Sequence, residues 1–205
     1  MENSNAREEL KNSRRVVVKV GTSTLTYDNG EMNFARIEKL VRAISDLKNQ
    51  GRDMILVSSG AIGVGVGKLK LGSKPKDLRH KQAVAAVGQC ELMHIYGKFF
   101  QEYGHVVGQI LLTRDVVENE TGKVNVVNTF EALLEMGIIP VVNENDSVAV
   151  DEIESGIHRV FGDNDSLSAI VAKLVKADLL IILSDIDGFY DCDPRENENS
   201  KLISV

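Results

Sequence analysis

Tryptophan is absent from this chain of 205 residues, cysteine occurs twice, proline three times, and aromatic residues make up 5%. Each shortage narrows what the protein can be. Cys90 and Cys192 stand far apart, with no CxxC and no Cys/His cluster, which argues against a disulfide framework or a structural zinc site and fits a reducing cytoplasm. His80, His94, His105 and His158 are scattered without ligand spacing, so no protein-bound transition metal is expected. Lysine and arginine form no block interleaved with aromatics, and acidic residues outnumber them, 30 to 24, for a net charge of −6. A nucleic-acid partner is therefore not expected; the two arginines of "SRRVVVKV" read better as the flank of a strand. Long apolar runs are missing too. None approaches the length of a membrane span, and the N-terminal stretch is polar with no apolar signal core, so the sequence reads as a cytoplasmic protein with no membrane partner.

What is present is ordinary globular material, 43% hydrophobic and 26% charged, in a length that suits one α/β domain with a sizeable core. Apolar β-branched runs recur at 15–20, 53–59, 105–113, 137–143 and 177–185. They are continuous rather than alternating, which predicts strands covered on both faces. Helical periodicity lies between them. Phe34, Ile37, Leu40, Val41, Ile44 and Leu47 form one stripe, ended by "NQG" at 49–51. Residues 80–103 and 126–136 read as further helices, and Leu167, Ile170, Val171 and Leu174 predict another beginning near Ser166. Strand–helix alternation predicts right-handed βαβ units, hence an α/β fold with a mostly parallel sheet between helix layers. No repeat, low-complexity tract or Pro/Gly linker divides the chain.

Two stretches read as loops too long for plain connections: residues 60–79, "GAIGVGVGKLKLGSKPKDLR", and the acidic insertion 143–165, "NENDSVAVDEIESGIHRVFGDND". Ligands of open α/β sheets bind beyond the carboxyl ends of strands, and four strand ends carry polar clusters, "KVGTS", "SSGA", "NENDS" and "SDIDG". "GAIGVGVGKL" fits neither common phosphate motif. A Walker loop needs Gly at 62 and Ser or Thr at 69, where Ile62 and Leu69 stand; a dinucleotide fingerprint from Gly63 or Gly65 needs Gly at 68 or 70, where lysines stand. A flexible glycine loop and an anion-binding loop both remain open. GxSxG is absent around Ser59, so that serine reads as a hydrogen-bond donor on a strand-to-helix turn rather than as a nucleophile. Lys19 is more informative. An ammonium in an apolar strand is costly to bury unpaired, and the Gly21-Thr22-Ser23 turn lets backbone N–H groups approach an anion beside it; a lysine snorkelling to water is the alternative. "GDND" at 162–165 precedes a helix, whose start favours negative charge. Only one of Asp163, Asn164 and Asp165 can be the N-cap, and a polar loop around a cap is the plain reading of all three.

Taken in order, "VVVKVGTSTL", "LVSSGAIGVG", "KQAVAAVGQ", "GQILLTRDV", "PVVNENDSVA", "FGDNDSLSA" and "SDIDGFYDCDPR" resemble the amino acid kinase family, and "VNEND" with "GDNDSLSA" resembles its glutamate-phosphorylating branch. The resemblance covers 15–205, leaving 1–14 as a polar N-terminal extension. It implies an open three-layer αβα sandwich and ATP-dependent phosphorylation of the γ-carboxylate of L-glutamate to L-glutamyl 5-phosphate, the first step of proline synthesis. ATP and Mg²⁺, feedback inhibition by proline and a homo-oligomer come with it. Carried over residue by residue, it implies that Lys19 touches the transferred phosphoryl group, with Gly21 in the same phosphate-binding turn. Ser59 and Gly60 resemble glutamate contacts, and Asp146 and Asn164 the residues that hold its α-amino group and neighbouring atoms. Asp165 resembles the aspartate that orients catalytic lysines. Ser184 and Asp185 resemble a nucleotide-binding pair, while Tyr190 and Pro194 lie in a segment resembling the wall of the adenine site. For Asp163 the resemblance leaves substrate recognition and loop shape both open.

Members of the family continue after the "DPR" segment into "GTGGM…TK", which holds a second catalytic lysine, and most carry an appended C-terminal domain. The C-terminal part of the domain is therefore expected to be missing here, and the 205-residue form to be nearly inactive. Acetylglutamate kinase, aspartokinase and uridylate kinase share the chemistry, and the "NEND…GDND" pair argues against each. A catalytically silent sensor of glutamate or proline is the alternative from another class; Lys19, Asp165, Ser184 and Asp185 occurring together favour an enzyme. A nicotinamide oxidoreductase lacks its fingerprint glycines.

Overall fold

The computed structural model describes residues 10–27, 31–148, 164–186, 188, 190–192, 194, 197 and 199–203. The apolar runs become strands β1 (Arg15–Val20), β2 (Asp53–Ser58), β3 (Val107–Leu112), β4 (Ile139–Glu144) and β5 (Leu179–Leu183). They form one sheet in the order β3-β4-β2-β1-β5, with every pairing between these strands parallel. Helices α1 (Thr22–Leu25), α2 (Phe34–Asn49), α3 (Ala61–Leu69), α4 (Leu78–Glu102), α5 (Arg114–Glu118), α6 (Glu120–Glu135) and α7 (Asn164–Leu174) connect or flank them.

Because side chains of a strand alternate between faces, continuous runs feed two cores at once. Val16, Val18 and Val20 of β1 and Met54 and Leu56 of β2 join Ile37, Val41, Ala61, Leu92, Tyr96 and Phe100 of α2, α3 and α4 in one cluster. Val17, Ile55, Val57 and Val142 point the other way, onto Phe130 and Leu134 of α6 and Leu167 and Val171 of α7. Two cores on one sheet make the three layers of an αβα sandwich. At the amino edge, the Arg15 guanidinium bonds both carboxylate oxygens of Glu131, at 2.6 and 3.0 Å, and the Val175 carbonyl at 2.7 Å. The arginine flanking the first strand thus ties β1 to α6 and to the end of α7, away from the polar strand ends.

Four expectations change. Residues 60–79 are not one loop: Ala61–Leu69 is helix α3, and only the stretch up to Asp77, the N-cap of α4, connects it onward. The glycines serve helix packing there, since a methyl group at Gly88 would collide with the Ala61 carbonyl and one at Gly65 with the Val84 carbonyl. The two helix backbones therefore meet directly. The helix expected from Ser166 starts two residues earlier, at Asn164, and that expected over 126–136 runs from Glu120 to Glu135 behind the short α5. Phe34, counted in the apolar stripe, is 54% exposed and stacks on Phe99. Most of the acidic insertion 143–165 lies outside the described residues.

Candidate active site at the carboxyl ends of the strands

Lys19 is the next-to-last residue of β1, with Leu183 and Ser58 beside the strand's final residue, Val20. The chain then turns at Gly21 into α1. Ser59 follows β2, and its hydroxyl donates to the Val20 carbonyl at 3.1 Å, which ties the two strand ends together. Gly60 opens α3 with φ +96°, in the left-handed region that favours glycine. A β-carbon there would also stand 2.9 Å from the Thr22 hydroxyl, so the turn after β1 and the start of α3 touch only because residue 60 has no side chain. No side chain caps α3. Its first backbone N–H groups face the same edge as Lys19, an arrangement suited to an anion. The neighbouring Ser58 hydroxyl lies 2.9 Å from the buried Tyr96 hydroxyl, and burial holds that phenol above its ordinary pKa; Ser58 is a packing residue.

The Lys19 ammonium meets Asp165 Oδ1 at 2.6 Å, with the lysine side chain 13% exposed. Asp165 lies in the first turn of α7, so its charge also complements the helix start. The contact is ionic rather than an aligned hydrogen bond, because the buried Oδ1 has no directed hydrogen-bond donor. Beside it, the Oδ1 of Asn164 is a buried acceptor without a partner among the described residues, the kind of atom that fits an incoming N–H donor. Asp163 lies outside the described residues.

Across β2, the end of β4 borders a cavity of ≈ 390 Å³ between α4 and β3. Asp146 lines it, as do Ala61, Gln89, Gln109 and Glu144. Burial raises the Asp146 carboxyl above its ordinary pKa, and the positive charge of Lys74 opposes that shift. A raised carboxyl in a partly apolar pocket is a group awaiting a positive partner. The cavity floor holds a buried amide pair, Asn143 Nδ2 to Gln89 Oε1 at 2.8 Å. Reasoning from the sequence did not single out Gln89, although a signal was there: it occupies the Ala85, Leu92, Tyr96 face of α4, where an apolar residue is expected.

On the opposite side, Ser184 and Asp185 directly follow β5 and are both exposed; the Ser184 hydroxyl accepts from the Ile186 amide at 3.4 Å. Tyr190 and Leu202 pair as an antiparallel bridge, and Pro194 lies between them, so these two fall in the segment after β5 rather than at a strand end. The structure thus joins Lys19 with Asp165 directly, sets Gly21, Ser59 and Gly60 around the same strand ends, and places Asp146 in the adjoining cavity. Among the described residues no group of three or more His, Cys, Asp or Glu side chains could hold a metal ion, and no helix is long and apolar enough to cross a membrane.

A parallel sheet flanked by helices, with a paired lysine and uncapped helix starts at its carboxyl edge, is the arrangement of an α/β protein suited to anionic substrates. The match is more specific than that. Residues 14–205 fit the model of the amino acid kinase family, and the chain belongs to that family. It is 68% identical to glutamate 5-kinase of Clostridium perfringens over 197 residues, 96% of this chain and 72% of that one. Glutamate 5-kinase of Listeria welshimeri is 62% identical over 97% of this chain and 71% of its own. That of Clostridium acetobutylicum is 59% identical over 98% and 73%.

Proposed function

We propose that this protein transfers the γ-phosphoryl group of ATP to the γ-carboxylate of L-glutamate, forming L-glutamyl 5-phosphate and ADP, the first step of proline biosynthesis. The observation that carries the reading is the Lys19–Asp165 pair at 2.6 Å on the end of the central β1, in a chain 68% identical to a glutamate 5-kinase. Transfer between two anions is governed by positioning and by neutralisation of charge. The acceptor carboxylate is already ionised near neutral pH, so no general base is needed. Lys19 supplies the positive charge at the migrating phosphoryl group, assisted by the backbone N–H groups after Gly21 and Gly60. Asp165 is a positioning residue: it holds the ammonium and releases no proton.

Glutamate enters with its α-ammonium toward Asp146 and the unpartnered Asn164 acceptor, and with its γ-carboxylate toward Ser59, Gly60 and Lys19. ATP lies on the β5 side, against Ser184 and Asp185 with Tyr190 and Pro194 beyond, and Mg²⁺ comes with its phosphates. Residues 15–205 form the kinase domain of this reading, which includes a cytoplasmic homo-oligomer sensitive to proline. The test is hydroxylamine trapping of the acyl phosphate with ATP, Mg²⁺ and L-glutamate. It is run on the 205-residue chain and on a fusion continued with the C-terminal residues of the Clostridium perfringens relative. The fusion is expected to give hydroxamate with glutamate and none with aspartate or N-acetylglutamate; hydroxamate from either of those two in place of glutamate overturns the reading.

A further inference from the structure

The orientation of the Gln89 amide follows from a chain of atoms that admits one solution. The Glu144 backbone N–H can only donate, and it lies 2.9 Å from a side-chain atom of Asn143; that atom is the oxygen. The other amide atom of Asn143 is therefore the nitrogen, which can only donate, and it lies 2.8 Å from Gln89. Gln89 must answer with its oxygen. Its Nε2, with two N–H groups, has no acceptor among the described residues. Gln89 is 9% exposed and lines the cavity at the end of β4, whereas Asn143, 2% exposed, stands behind it.

Among the described residues that line it, that cavity has no lysine, arginine or histidine; its charged lining residues are Glu144 and Asp146, and the positive charge of Lys74 acts on Asp146 from outside that lining. Such a pocket repels a lone carboxylate. It accepts one belonging to a zwitterion, whose ammonium meets the acid while the carboxylate takes a buried neutral donor. We propose that Gln89 Nε2 donates to the α-carboxylate of the amino-acid substrate, so that the β4 cavity reads the zwitterionic head and leaves the γ-carboxylate to extend past Gly60 toward Lys19. The sheet order supports this division, since β2 separates β4 from β1. The inference rests on the glutamate reading above and assigns Gln89 as a specificity residue of that site.

The test is calorimetric titration of L-glutamate and of L-isoglutamine, which carries an α-carboxamide in place of the α-carboxylate, into the 205-residue chain and its variants. Gln89→Glu still accepts from Asn143 but presents an acceptor, with a negative charge, where Nε2 stood. The wild type is expected to prefer glutamate. In Gln89→Glu the ratio of the two affinities is expected to move toward isoglutamine by at least about tenfold, the scale of one hydrogen bond to a charged group. An unchanged ratio, or equal loss of both ligands, overturns the role of Gln89. Gln89→Met, of similar length and without a donor, covers the case in which the charged variant does not fold, and its ratio should fall toward unity. Wild-type protein that binds neither ligand overturns the glutamate reading itself and this inference with it.

Discussion

Strands β2 and β4 are buried along almost their whole length, whereas β5, equally apolar in sequence, is only partly covered, with Ile182 44% exposed. The same contrast holds at the strand ends. Beyond β4 the side chains of α4 and β3 border a half-open cavity with a raised carboxyl and an oriented amide pair. Beyond β5, Ser184 and Asp185 lie exposed on the edge strand. The side proposed for the acceptor is thus built into the core of the sheet, and the side proposed for the nucleotide is a shelf on its margin. Lys19 stands between them, one strand in from the edge, and the two halves should respond differently to substitution.

The largest effects belong to the boundary itself. Removing one donor aimed at developing charge typically costs about 10²–10³ in kcat, and Lys19→Ala is expected to fall in that range in an active, extended form while the protein still folds. Near-normal kcat would take the phosphoryl role away from Lys19. Asp165→Asn isolates the aim of that lysine, because asparagine keeps the size of the side chain but cannot hold the ammonium by charge, and the charge it removes from the first turn of α7 is worth only about 0.3–1 kcal/mol to the helix. Turnover is expected to drop by at least about tenfold, some 1.4 kcal/mol of barrier, with a nearly unchanged melting temperature. Normal turnover with early melting would reduce Asp165 to a helix-start residue.

A pH effect should mark the cavity half alone. Burial raises the folded-state pKa of Asp146, so protonation favours the folded, ligand-free chain, which gains from this group as pH falls through that raised value. Glutamate affinity moves the opposite way. The ammonium pairs with the ionised carboxylate, so binding weakens as pH drops through the raised pKa, at a pH higher than an ordinary aspartate would give. Asp146→Asn is expected to weaken glutamate at neutral pH, to flatten the acid limb of its binding profile and to leave the KM for ATP unchanged. Parallel loss of both substrates would assign Asp146 to loop structure instead.

These residues differ in how visible they are in the sequence. The strands were legible because Val16–Val18 and Met54–Val57 are apolar without interruption, and the helices because their stripes recur at 3.6 residues. The candidate site was legible where a polar cluster ends a strand, as with Lys19, Ser59 and Asp146. The glycines of α3 misled because a helix backbone crossing another helix and a flexible loop make the same demand for small residues; Gly65 and Gly88 differ from loop glycines only through partners distant in sequence, Val84 and Ala61. Gln89 stayed hidden for a related reason. A single polar residue on an apolar helix face says that it has a partner, but Asn143 could be found only once β4 was placed beneath α4. The half-exposure of β5 was equally invisible, since "LLIIL" does not record what lies against it.

The smallest expected effect tests that last point. Trimming one methyl from a packed isoleucine costs about 0.5–1.5 kcal/mol, while substitutions at sites with little packing stay within about 0.5 kcal/mol. Ile55, fully buried in β2, and Ile182, 44% exposed in β5, are both β-branched strand residues, so Ile→Val leaves strand propensity nearly unchanged and reports packing. Ile55→Val is expected to lower stability in chemical denaturation by an amount in the first range and Ile182→Val by an amount in the second, with equal m-values. Equal losses at the two positions would mean that β5 is covered in solution as well as β2 is. A dependence of the Ile182→Val loss on protein concentration would then identify the cover as a second copy of the chain, and a concentration-independent loss would place it within the same molecule. A small loss at Ile182 beside a full one at Ile55 would leave the contrast between the buried strands of the acceptor side and the exposed edge strand of the nucleotide side as it stands in the ligand-free chain.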